Sequence, residues 1–128
     1  MAESKSSRVN TPVFSLNCRG LQDDAEIVQD YMEDTDAVVG AFMETKLYGK
    51  PPSFAAKWKW HGYKKSELLP TLGETDPRRG LGIAVNTEFC LGSEVVGGGQ
   101  HTLWVYMPGA EEDLYVCATH IPVYGEAD

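Results

Sequence analysis

The stretch "VFSLNCRGLQDDAEIVQDYMEDTDAVVGAFMETK" (Val13–Lys46) decides the fold. Val13 to Asn17 alternates, which is the period of a strand. Leu21, Ala25, Val28 and Met32 then recur at spacings of four, three and four, the apolar stripe of a helix. Asp23, Asp24 and Glu26 crowd its first turn, where carboxylates suit the positive end of the helix dipole. The pattern predicts a helix from about Asp23 to Glu33. Ala37 to Met43 is a continuous apolar run, short enough for a strand buried on both faces. Strand, helix and strand in this order predict a right-handed crossover between parallel neighbours.

Working outward, Phe54, Trp58 and Trp60 accompany a candidate strand near Lys57 to Tyr63, and "LGIAVN" (Leu81–Asn86) is an obvious strand. A further strand is expected over Leu91–Val96. The glycines of "VVGGGQ" read as a flexible connection. "LWVYM" (Leu103–Met107) and "LYVCATH" (Leu114–His120) flank "PGAEED" and read as a hairpin. The expected class is α+β, a mixed β-sheet with one main helix. Residues 1–12 read as a flexible, solvated tail ahead of one domain over 13–128.

With 128 residues there is chain for one domain, which would bury roughly two-thirds of its unfolded surface. The balance is acidic, 11 Lys and Arg against 19 Asp and Glu, a formal charge of -8. That argues against a broad electrostatic grip on nucleic acid or an anionic membrane, while leaving room for a local basic patch. Apolar runs of about seven residues fall far short of a membrane helix, so no membrane partner is expected. The first residues hold no apolar core of a secretory signal. Three cysteines without CxxC spacing indicate neither a disulfide framework nor a thiolate zinc site, and an intracellular setting is expected.

Asn17 ends one strand and Glu44 follows another, one helix later. Parallel strands place their carboxyl ends on one edge, where α/β sheets collect ligands, so the two side chains could converge. An amide oxygen beside a carboxylate is a hard, all-oxygen pair suited to Mg²⁺ or Mn²⁺. The bland alternatives are that Asn17 and Gly20 merely reverse the chain and that Glu44 is solvated at a strand exit. "KWKWHGYKK" offers Lys57, Trp58, Lys59 and Trp60 for charge and stacking on single-stranded nucleic acid. Its alternative is a half-buried strand with aromatics inside and lysines outside. Arg79, with Arg78, could reach phosphates.

These residues carry a resemblance. "SLNCRGL", a helix, then "DAVVGAFMETKL" resembles the opening of the endonuclease/exonuclease/phosphatase superfamily (DNase I-like), and within it the non-LTR retrotransposon endonuclease branch. "RRGLGIAV" and "LWVYM…LYVCATHIPVYG" extend the likeness to Gly125. The resemblance implies the first half of a two-sheet αββα sandwich and a magnesium-dependent phosphodiester hydrolase with nucleic acid, DNA ahead of RNA, as partner. It implies Glu44 as direct metal ligand and Asn17 placing a coordinated water or the phosphate.

Where the family has a phosphate-contacting Tyr-x-Pro, His120 stands in the Tyr position, Pro122 is kept and Tyr124 lies close by. The family's later Asp-x-Asn and Asp-His pair do not occur before Asp128, so a weakly bound metal and weak or absent catalysis by this truncated form are expected. The rival readings are a non-catalytic binding module and a truncated product without function. Leu81, Ile83, Val85, Leu103, Val105, Leu114 and Val116 alternate along their strands and should line one sheet face. With mainly one sheet supplied, that face is expected to lie uncovered and to drive self-association.

Overall fold

The computed structural model describes residues 12–45, 47, 51–62, 80–99, 102–109 and 112–119. Strand β1 (Val13–Asn17) leads through a 3₁₀ turn (Gln22–Asp24) into helix α1 (Ala25–Asp34), and β2 (Val39–Met43) returns beside β1. The two strands are parallel, with Val13 opposite Val39 and Asn17 opposite Met43. Pairing is already set at the strand entrance, where the Val38 N–H donates to the Pro12 carbonyl at 3.0 Å. The helix stops at Thr35, whose N–H and Oγ1 both donate to the Tyr31 carbonyl, at 3.1 and 3.0 Å. Asp36, at φ 56°, then turns the chain into β2.

β3 (Trp58–Gly62) and β4 (Leu81–Asn86) complete a four-stranded sheet in the order β1-β2-β4-β3, with β4 antiparallel to both neighbours. β5 (Glu94–Gly99), β6 (Thr102–Met107) and β7 (Leu114–Thr119) form a second, antiparallel sheet in sequential order. This is the expected α+β class, approximating the first half of a two-sheet sandwich. The strands nevertheless divide between two sheets, where mainly one was expected. β4 lies inside its sheet with a partner on each side, and the later apolar strands stack over its face.

A second difference concerns β5. It begins at Glu94, not Leu91, and the glycines expected to form a flexible connection are its second half. A bulge between Val95 and Gly97 shifts the register, after which Gly97, Gly98 and Gly99 pair with Trp104, Leu103 and Thr102. A ladder needs only backbone N–H and C=O groups, which glycine supplies without any side-chain signal.

The two sheets close on each other. Val39, Ala41, Leu81, Ile83 and Val85 meet Leu103, Val105, Met107 and Ala118, all buried, with Leu114 and Val116 partly buried at the margin. The face expected to be uncovered is therefore covered by the chain's own second sheet. Self-association through it is corrected on that ground.

On the far side of the first sheet, Val28 and Met32 of α1 pack with Phe42 and Ala84. Phe42 is fully buried, with the rings of Phe14, Phe54 and Trp60 at centroid distances of 6.1, 6.0 and 5.8 Å. Two glycines make this closeness possible. A Cβ on Gly40 would stand 2.7 Å from Met32 Sδ, and one on Gly82 would overlap the Trp60 ring.

Candidate metal centre

The second sheet packs chiefly over β2 and β4. The residues of β1 that point away from α1 are therefore exposed: Val13 (56% exposed), Ser15 and Asn17. Asn17 sits at the carboxyl end of its strand, directly beside Met43, the last residue of β2. Glu44 follows at φ 57°, a left-handed conformation that bulky residues seldom adopt.

Pairing continues past both strands and locks the two exits together. The Cys18 N–H donates to the Met43 carbonyl at 3.0 Å, Gly20 to Glu44 at 2.6 Å, and Leu21 to Thr45 at 3.0 Å. On the other side the Thr45 N–H donates to the Gly80 carbonyl at 3.0 Å. Arg19 (φ 50°) and Gly20 (φ 112°) make the bend that lets the first exit follow the second. Chain reversal and side-chain placement are thus parts of one arrangement.

The result is a direct contact. Asn17 Nδ2 donates to Glu44 Oε2 at 2.8 Å, across 27 residues of sequence. The amide holds one carboxylate oxygen, and the left-handed turn at Glu44 presents the carboxylate at the sheet's open edge. Among the described residues no three His, Cys, Asp or Glu side chains gather as a ready-made metal cage. One carboxylate and one amide fit a hydrated Mg²⁺, which needs few protein ligands. Cys18 is not a thiolate donor here. Burial pushes its thiol up, helped by the nearby charges of Glu44 and Asp24, and the Sγ–H donates to the Met43 carbonyl at 3.1 Å.

Of the other residues singled out, Arg79, His120 and Tyr124 lie outside the described residues. The aromatic-lysine segment is used for packing. Trp58 is 5% exposed and its Nε1 donates to Glu33 at 3.3 Å, while Trp60 lies in the Phe42 cluster. Lys57 pairs with Glu33 at 3.4 Å, and Lys59 Nζ donates to the Ser93 carbonyl at 2.9 Å. The stacking expectation for Trp58 is corrected, because a base cannot lie on a ring so deeply covered.

The same segment contains a contact that the sequence did not signal. His61 Nε2 and Ser93 Oγ are 2.8 Å apart, both buried, and with Lys59 they tie β3 to the approach of β5. Burial, reinforced by the Lys59 charge, lowers the His61 pKa to about 4, so the imidazole is neutral at ordinary pH. The two residues are 32 positions apart, and no spacing in the sequence links them.

No family model matches this chain, and a search of curated proteins finds no match either. Solved structures do match. The AP endonuclease LMAP from Leishmania major superposes with a TM-score of 0.66 at 11% identity, over 87% of this chain and 40% of its own length. The endonuclease domain of TRAS1, a telomere-specific non-LTR retrotransposon, superposes with a TM-score of 0.57 at 10% identity, over 87% of this chain and 46% of its own. The chain spans less than half the length of either. The likeness is one of fold: it is DNase I-like, and the partial coverage fits the amino-terminal half of that architecture.

Proposed function

We propose that this DNase I-like half-sandwich belongs to the lineage of metal-dependent phosphodiester hydrolases and carries the first part of their site, with nucleic acid, DNA ahead of RNA, as the substrate class. The observation that supports this is the 2.8 Å contact between Asn17 and Glu44 at the carboxyl edge of the parallel pair. Glu44 holds a strained left-handed conformation there, and backbone strain of roughly 1–3 kcal/mol collects where function over-determines geometry.

Glu44 is the carboxylate that would hold Mg²⁺ or Mn²⁺, with water and phosphate filling the remaining positions. When bound, such a cation neutralises charge on the phosphoryl oxygens during in-line attack by water. Asn17 orients the carboxylate through its N–H donor and is the group suited to ordering a water or a phosphate oxygen beside it. His120, Tyr124 and Arg79 enter by sequence position, as donors to phosphate. With one carboxylate, affinity should be weak.

Mn²⁺ binding followed by electron paramagnetic resonance tests the assignment. Weak binding, lost in Glu44→Ala and reduced in Asn17→Ala, is the expected result. Binding of undiminished strength in Glu44→Ala would overturn it.

A further inference from the structure

The bend between Asn17 and Leu21 holds a charged residue that the metal centre leaves unused. Arg19 sits at φ 50° and Gly20 at φ 112°, so two consecutive residues are left-handed. Glycine takes that conformation freely, and Asn and Asp take it more readily than a long side chain does. The first left-handed position of the bend nevertheless carries an arginine. Glu44, on the other strand exit, is left-handed too, at φ 57°.

Backbone bonding sets these two residues side by side. The N–H groups on either side of Arg19, those of Cys18 and Gly20, donate to the carbonyls of Met43 and Glu44 at 3.0 and 2.6 Å. Arg19 is thus held against Glu44 by bonds on both flanks, two residues beyond Asn17. Its side chain is exposed, and among the described residues no ion pair or hydrogen bond takes up the guanidinium. A long cation therefore stands at the contact of Asn17 with Glu44, on a backbone whose conformation would be relieved by a smaller residue.

Charge says what this cation is suited to meet. The chain carries a formal charge of -8, and Glu44 and Asp24 add negative charge at this corner. A phosphodiester approaching Glu44 is repelled unless cations compensate it. A metal ion on Glu44 supplies one such charge. A guanidinium supplies another from the protein itself, and its planar fork matches two phosphate oxygens at once.

We propose that Arg19 is a substrate-binding residue, its guanidinium donating to the nonbridging oxygens of the phosphodiester that meets the Asn17–Glu44 pair. This contact rests on the phosphodiester reading of that site and adds to it a grip that no metal provides.

The test uses the full chain, isotope-labelled for proton–nitrogen NMR, and thymidylyl-thymidine, a dinucleotide with a single phosphodiester. Thymidine, which has none, is the companion. Both are titrated with Mg²⁺ present, following the Arg Nε–H and backbone amide signals. Arg19→Asn removes the cation, keeps a residue suited to left-handed backbone, and identifies the Arg19 Nε–H signal by its loss. The dinucleotide should shift that signal, and thymidine should not. Arg19→Asn should weaken dinucleotide binding about tenfold, in keeping with a lost hydrogen bond between charged groups. Arg19→Lys, which keeps the charge without the fork, should recover only part of that loss. Mn²⁺ binding should not fall in either variant, because neither removes a ligand or adds positive charge beside Glu44. Should Arg19→Asn fail to fold, as its amide spectrum would show, the Nε–H shift and Arg19→Lys carry the test. No dinucleotide binding by the unaltered chain, undiminished binding in Arg19→Asn, an equal shift with thymidine, or Mn²⁺ affinity falling in step with dinucleotide affinity would each overturn the proposal. The metal assignment fails on a different result, Mn²⁺ binding that survives Glu44→Ala, so the two failures are told apart.

Discussion

Phe42 on the outer face of the first sheet is fully buried, whereas Trp104 on the outer face of the second leaves 42% of its surface in solvent. Both are large aromatics on central strands of sheets that share one core. The difference lies in what each face meets. Gly40 lets Met32 of α1 approach β2 closely, and Phe14, Phe54 and Trp60 close around Phe42. The second face is aromatic too, but it is edged with Glu94 and Asp113. A ring's contribution is set by the contacts that surround it, so equal residue types on the two faces should carry unequal energy.

The largest expected effect is Phe42→Ala. Loss of a fully buried aromatic should cost about 3–5 kcal/mol, read as a shift in the denaturant midpoint. A cost near that of an exposed residue would erase the contrast between the faces.

Acid titration probes the margin between the sheets. His61 has a pKa lowered to about 4, below its unfolded value near 6.5, so its neutral form supports the fold. Its contribution is complete above about pH 6.5 and is lost as pH falls towards 4, on the order of 2–3 kcal/mol over that window. His61→Gln should flatten the slope of stability against pH in that range. The second face responds at the other end of the scale. Tyr106 has a raised pKa because it donates to Asp113, so its contribution is complete below about pH 10 and fades as pH rises further.

Glycine substitutions give a smaller, paired contrast. Gly82→Ala drives a methyl group into the Trp60 ring and should cost about 1–3 kcal/mol. Gly97→Ala on β5 meets nothing within 4 Å, and its change should stay within about 0.5 kcal/mol. Thermal melts of both variants decide this, and equal shifts would break the comparison.

The smallest effect is expected from Trp104→Ala. Its stability change should remain under about 1 kcal/mol by chemical denaturation, because much of the ring is already in water. A cost matching that of Phe42→Ala would mean that the second face contributes to the fold as much as the first.

Much of the first half was legible from the sequence alone. The alternation of Val13–Asn17, the stripe of Leu21, Ala25, Val28 and Met32, and the run through Met43 are local signals with distinct periods. They were enough to expect the parallel pair, and with it the approach of Asn17 to Glu44. The path of β5 through Gly97–Gly99 was hidden because glycine carries no side-chain pattern. The contact of His61 with Ser93 was hidden by their separation of 32 positions.

What the sequence by itself determined is therefore the set of elements and which residues on each strand share a face, since both follow from periodicity along the chain. It could not determine which sheet each strand joins. "LGIAVN" and "LWVYM" read as similar apolar strands, yet one is the doubly paired interior of the first sheet and the other the centre of the second. Partition, the burial of Trp58, the cover on Phe42 and the exposure of Trp104 were decided by tertiary structure. Periodicity fixes the direction of a side chain relative to its own backbone, and only the packing of distant segments determines what lies in that direction.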